Sequence, residues 1–286
     1  MELFAEYNIC LYVITAGGKN MRLFISADIE GTCGIVDWDE TEIKRPEYYN
    51  GFAEQMTSEV AAACNAALMS GRVDEILIKD AHDYARNIRM AQLPEKVKLI
   101  RGWVGGPGGM MAGVTKCDAC IMTGYHSGAF SEGNPLAHTM NTENQWIKIN
   151  GEYASEFIIN TYFAAYYNKP VLFISGDLAL CNSAKKLIPG IETAAVNEGE
   201  GGASISVHPK TALKMITDGV TEAMSKDFST CMVELPDHFS VQIQFREVKK
   251  AQKGSWYPGT KRIDAKTIDF ESDDYFEIAR FLYFVL

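Results

Sequence analysis

Three apolar runs in the first half of the chain, LFISADIE (23–30), EILIKDAH (75–82) and CIMTGYH (120–126), begin as buried strands and end in carboxylates or an imidazole. Short runs of this kind belong inside a sheet, and helical segments between them limit the chain to a mainly parallel or mixed α/β sheet with helices on both faces. PEYYNGFAEQMTSEVAAACNAALMSG predicts a helix from Pro46 to Ser70 closed by Gly71, followed by the strand EILIKD. The pattern continues with strands at 97–102 and 117–126, separated by the Gly-rich stretch GGPGGMMAG (105–113). WIKINGEYA (146–154) reads as a hairpin turning at Asn150-Gly151, SEFIINTYFAAYYN as a helix and PVLFISGD as a strand. Beyond Asp177 the texture changes, and a boundary near Leu187 divides a catalytic α/β domain (21–187) from a smaller C-terminal α+β lobe (188–286).

The strand ends raise an electrostatic question. Asp28 and Glu30, two apart, would share one face of an extended strand, and unpaired they would repel and cost several kcal/mol in desolvation. Asp80 and His82 end the second run and His126 the third, while Glu156 stands in the first turn of an otherwise apolar helix. Open α/β sheets bind ligands outside the carboxyl ends of their strands, so these side chains converge if the three strands are neighbours. Asp, Glu and His without Cys form the ligand set of a hydrolytic zinc or manganese site, and a carboxylate bridges two ions where an imidazole does not. His208, before Pro209, and His238, after Asp237, read as surface or turn residues.

Other classes fall away. With 37 acidic and 27 basic residues the net charge is -10, and no Lys/Arg cluster is present to track a phosphate backbone, so nucleic acid is not an expected partner. No apolar run approaches the roughly 20 residues of a membrane span. Seven cysteines, scattered in apolar segments, predict buried thiols and a cytoplasmic location; the lone C-x-x-C of Cys117 and Cys120 lacks the second pair of a zinc site. GGPGGMMAG lacks the Lys-Ser/Thr of a P-loop, and no G-x-S-x-G elbow is present. Residues 1–20 carry Glu2 and Glu6 where a signal peptide needs positive charge, and AGGKN before Met21 has the coding character of a ribosome-binding sequence; Met21 is the expected native start.

Taken in order, SADIEG, KDAHDYARN, GYH, NPLAHTM, SEF with Glu156, PVLFISGD and the closing SWYPGTKRIDAKTIDFESDD resemble the DppA-like D-aminopeptidase family of dinuclear zinc peptidases. The resemblance runs from Met21 to the C-terminus. It implies two zinc ions on Asp28, Glu30, His82, His126 and Glu156 with Asp28 bridging, a catalytic role for His138, and a ring-shaped decameric homo-oligomer. It also implies hydrolysis of short peptides or amides with a free N-terminus and a D-amino acid. Lys79 and Ala81 in KDAH, and Asn197 before Glu198-Gly199, depart from the residues such proteins commonly carry. A dinuclear phosphoesterase and a non-catalytic peptide-binding assembly are the alternative readings of the same ligand set.

Overall fold

The computed structural model describes residues 21–286; the expectation that Met21 is the native start concerns residues 1–20, which lie outside the described part. The first sheet holds β1 (Met21–Ala27), β2 (Val73–Asp80), β3 (Val97–Ile100), β4 (Ala119–Tyr125), β7 (Val171–Asp177), β8 (Glu192–Glu200) and β9 (Ala203–Ser206). Their spatial order is β3-β2-β1-β4-β7-β8-β9, parallel throughout except for the antiparallel edge strand β9. From β1 the chain winds outward to β2 and β3, then returns to place β4 on the other side of β1 and winds the opposite way. That reversal is the topological switch point, where an α/β sheet opens a crevice at its strand ends.

Helix α1 (Pro46–Met69) packs against β2 and β4, and α3 (Leu178–Leu187) against β7 and β8. Helix α4 (Pro209–Ser225) lies beside α1, and α2 (Glu156–Tyr166) packs against β4. α1 starts with Pro46 at its first position and stops at Ser70, where Gly71 takes φ +70°. The core is the two-sided interior of the sheet, with Leu23, Phe24, Ile25, Ile121, Phe173 and Ile174 fully buried.

The second sheet is antiparallel: β5 (Asn144–Ile149), β6 (Glu152–Tyr153), β10 (Phe239–Phe245), β11 (Lys261–Arg262) and β12 (Thr267–Ser272) in the order β11-β12-β10-β5-β6. The β5–β6 turn uses Asn150 (φ +51°) and Gly151 (φ +88°), as a tight primed turn requires. Helices α5 (Val248–Gly254) and α6 (Tyr275–Val285) cover this sheet, and α6 also meets α2. The two sheets do not divide the chain near Leu187: β5 and β6, before that point, belong to the second sheet, while β8, β9 and α4, after it, complete the first. Among the described residues no helix is long and apolar enough to cross a membrane.

Candidate metal centre

β2, β1 and β4 are neighbours, so their carboxyl ends deliver His82, Asp28 with Glu30, and His126 to one place at the switch point. Asp28 and Glu30 reach it by a route other than strand alternation. β1 ends at Ala27, and the two carboxylates stand on the turn that follows. The turn is pressed onto the end of β4: Asp28 N–H donates to Thr123 O and Gly31 N–H to Gly124 O, both at 2.9 Å. A Cβ on Gly31 would stand 1.7 Å from Tyr125 O, so only glycine lets the turn lie this close. Asn197 and Asn134 hold the turn from the far side through the carbonyls of Gly31, Thr32 and Glu30. Glu156 enters from the first turn of α2, whose N-cap Ser155 accepts from Ile158 N–H. Asp80 does not join the cluster; its carboxylate accepts from Asn87 and Ile88 and fixes the loop after His82.

The remaining six expected residues all meet. His82 Nδ1 lies 3.4 Å from Asp28 Oδ1 and 3.1 Å from Glu30 Oε1. His126 Nε2 lies 3.7 Å from Asp28 Oδ2 and 3.6 Å from Glu156 Oε1. His138 Nε2 is 3.5 Å from Glu156 Oε1 and 4.0 Å from Glu30 Oε1. His208 and His238 stay on the surface, the first capping α4 and the second paired with Asp273 at 2.6 Å.

Each imidazole is held by its other nitrogen. His82 Nε2 faces Thr41 O at 3.0 Å, His126 Nδ1 faces Ser127 O at 2.9 Å and His138 Nδ1 faces Leu136 O at 2.9 Å. A carbonyl only accepts, so each of those nitrogens carries the proton, and in the neutral ring the lone pair points into the cluster. Ser127 is itself pinned by the buried Asp177 carboxylate, at 2.6 Å from its N–H and 2.5 Å from its hydroxyl. Apart from the backbone N–H groups of Ile29, on Asp28 Oδ1, and Met140, on Glu156 Oε1, the cluster thus gathers lone pairs and negative oxygens. Asp28 Oδ2, Glu30 Oε2 and His126 Nε2 are buried without a hydrogen-bond partner among the described residues.

The titration behaviour has the same cause. Burial and the Glu30 charge push the Asp28 carboxyl well above the usual carboxylate range. Burial would raise Glu30 too, but the imidazoles of His82, His126 and His138 hold it well below. For His82 and His126 burial opposes protonation and the surrounding carboxylates outweigh it, so both rings are raised well above the ordinary value. His138 is lowered, by burial and by the neighbouring His126. Without a cation the cluster retains protons to balance its carboxylates, and a divalent ion is the natural replacement. Three sets of side chains have mutually close ligand atoms: Asp28, Glu30 and His82; Asp28, His126 and Glu156; and Glu30, His126 and His138.

Sequence reasoning missed what surrounds this cluster. Trp38 stands edge-on to His138 at 5.2 Å, and Met140 N–H donates to Glu156 Oε1 at 2.7 Å. Trp103, Met110 and Asn141 line the cleft above.

Fold and site together define a metal-hydrolase type of centre on a doubly wound sheet. A family model for the M55 peptidases, described as D-aminopeptidase, matches residues 21–284, and the chain belongs to that family. It is 27% identical over 260 residues to a D-aminopeptidase of Bacillus subtilis (strain 168), covering 90% of this chain and 93% of that one. A solved structure, described as the Zn-dependent D-aminopeptidase DppA from Bacillus subtilis, a self-compartmentalizing protease, superposes with a TM-score of 0.84 at 26% identity, over 93% of this chain and 96% of that one.

Proposed function

We propose that this chain is a zinc-dependent D-aminopeptidase with a dinuclear centre, which removes an N-terminal D-amino acid from short peptides or amides. The observation that carries the reading is the position of Asp28. Its Oδ1 faces His82 and its Oδ2 faces His126, so one carboxylate belongs to both the Asp28-Glu30-His82 set and the Asp28-His126-Glu156 set. The orphaned oxygens and the inward lone pairs fit divalent ions, and the all-N/O donor set suits zinc. Zinc held there would polarise the scissile carbonyl and lower the pKa of a water toward about 7.

The chain's own residues divide the remaining work. Asp28, Glu30, His82, His126 and Glu156 would hold the ions, and the carbonyls of Thr41 and Ser127 fix the orientation of the two imidazoles. His138 is needed for neither Asp28 set. Its neutral ring offers Nε2 to the cleft, where it takes a proton from the attacking water and passes it to the leaving amine. Family membership favours peptide over phosphoester hydrolysis, and a turnover assay tests a purely binding role. Chelated protein should not hydrolyse a D-aminoacyl amide and should recover on addition of zinc; hydrolysis by metal-free protein would refute the reading.

A homo-oligomer enclosing the active sites is part of the proposal, supported by the self-compartmentalizing relative, and a ring of ten chains is the form proposed for it. Sedimentation of the native protein tests it. A cytoplasmic setting goes with six described cysteines that are all unpaired and buried.

A further inference from the structure

The cleft over the cluster, about 610 Å³, has a neighbour. Trp103, Met110, Met140 and Asn141 line the cleft and also line a second cavity of about 310 Å³. The second cavity is apolar, with Ile159 and Phe163 of α2 on one side, Tyr275, Ala279 and Leu282 of α6 on another, and the Gly-rich segment 105–109 along its edge. Two exposed carboxylates, Glu42 and Asp83, line the cleft itself. Trp103 joins the two regions: its indole N–H donates to Asp83 O at 2.7 Å while the ring walls both cavities. Behind it the buried Lys79 ammonium donates to Gly102 O at 3.1 Å and lies 4.1 Å from the ring centroid, which fixes the indole in place.

An N-terminal residue carries its ammonium and its side chain on the same Cα. Its recognition is served by an anion and a side-chain pocket that open on one cleft, and here Asp83 and Glu42 line the cleft that shares Trp103 with the apolar cavity. A residue beyond the scissile bond carries no ammonium and has no use for the acidic edge. We propose that the cavity between Trp103, Phe163 and α6 is the subsite for a large apolar side chain on the substrate's N-terminal residue, with Asp83 and Glu42 facing that residue's ammonium. This rests on the aminopeptidase reading and adds a substrate class to it: N-terminal leucine- or phenylalanine-like residues fill the cavity, and alanine leaves most of it empty.

D-Alanine amide, D-leucine amide and D-phenylalanine amide vary the first side chain alone. With zinc-loaded protein, kcat/KM should rise at least about tenfold from the alanine amide to the leucine or phenylalanine amide. Two substitutions add bulk at residues that line the cavity. Gly106→Leu adds a side chain where no atom lies within 4 Å of the new Cβ, and Ala279→Leu adds bulk from α6. Each should bring the ratio toward one while zinc content and circular dichroism match the parent. A preference for alanine, or a ratio that both folded variants retain, overturns the subsite. So does a preference seen only when the second residue is varied, with D-alanyl-D-phenylalanine against D-alanylglycine. A cavity covered by a second copy of the chain would show as a changed sedimentation coefficient in Gly106→Leu with the ratio intact, and that also overturns it. If no amide or dipeptide is hydrolysed, the aminopeptidase reading fails by itself, and calorimetry decides the pocket. Binding of D-phenylalanine at least tenfold tighter than D-alanine, lost in Gly106→Leu, supports it; equal binding overturns it.

Discussion

His126 and His138 stack face to face, with ring centroids 4.4 Å apart and planes 9° from parallel. The two rings have opposite titration behaviour: carboxylates raise His126, whereas burial and the adjacent His126 lower His138. A ring kept neutral and aimed at the cluster suits proton transfer. His138→Ala should lower kcat by about 10²–10⁴-fold with little change in KM and no loss of zinc. Loss of an ion in this variant would make His138 a ligand, as its place beside Glu30 and His126 also allows.

Asp28 and His82 differ in how much of the centre depends on them. Asp28→Ala removes a carboxylate common to two ligand sets and should release both ions, while His82→Ala should release one and leave the set of Asp28, His126 and Glu156 loaded. Equilibrium dialysis with elemental analysis separates the outcomes. One ion retained at parent affinity in Asp28→Ala would argue against bridging.

The turn bearing Glu30 allows little tolerance. With Tyr125 O 1.7 Å from the position of a new Cβ, Gly31→Ala must push the turn away from the end of β4. Overpacking of this kind costs roughly 1–3 kcal/mol, and zinc affinity should fall along with the melting temperature. A variant as stable and as tightly zinc-binding as the parent would show that the turn is looser than described.

Much of the centre was legible in the sequence because charge at the end of an apolar strand is costly and therefore informative. Asp28, Glu30, His82 and His126 stood out on that ground, and Glu156 on its place in an apolar helix. His138 did not; in NPLAHTM it is one more loop histidine, and only the family resemblance gave it a role. The carbonyls of Thr41, Ser127 and Leu136 that orient the rings were invisible, since every residue carries a carbonyl and only the fold selects three. The same holds for the cavity by Trp103, made where a Gly-rich loop meets a helix from the far end of the chain. A single boundary near Leu187 failed to describe the sheets because the chain passes between them three times, and strand pairing over such distances leaves no local trace.

Stability should depend on pH through Glu59 on α1, which lies apart from the metal-facing cluster. Burial raises its carboxyl from 4.5 to about 7, although Cys33 N–H and Gln55 both donate to it. Between those two values the folded chain keeps a proton that the unfolded chain has released, so stability falls as pH rises from 4.5 to about 7. Glu59→Gln removes the titration. Its stability relative to the parent should increase from pH 5.5 to pH 8, by roughly 2 kcal/mol. Denaturant melts of both proteins at the two pH values measure this, and a constant difference would place the Glu59 carboxyl in the ordinary range.

Two ions would act together at one centre, sharing the Asp28 carboxylate. A zinc titration of chelated protein, with bound metal and D-aminoacyl amide hydrolysis followed on the same samples, counts the ions that activity requires. Activity should rise with bound zinc and level off at about two ions per chain, as the paired ligand sets require. Full activity at one ion per chain, or hydrolysis that persists with none, would contradict a two-ion centre.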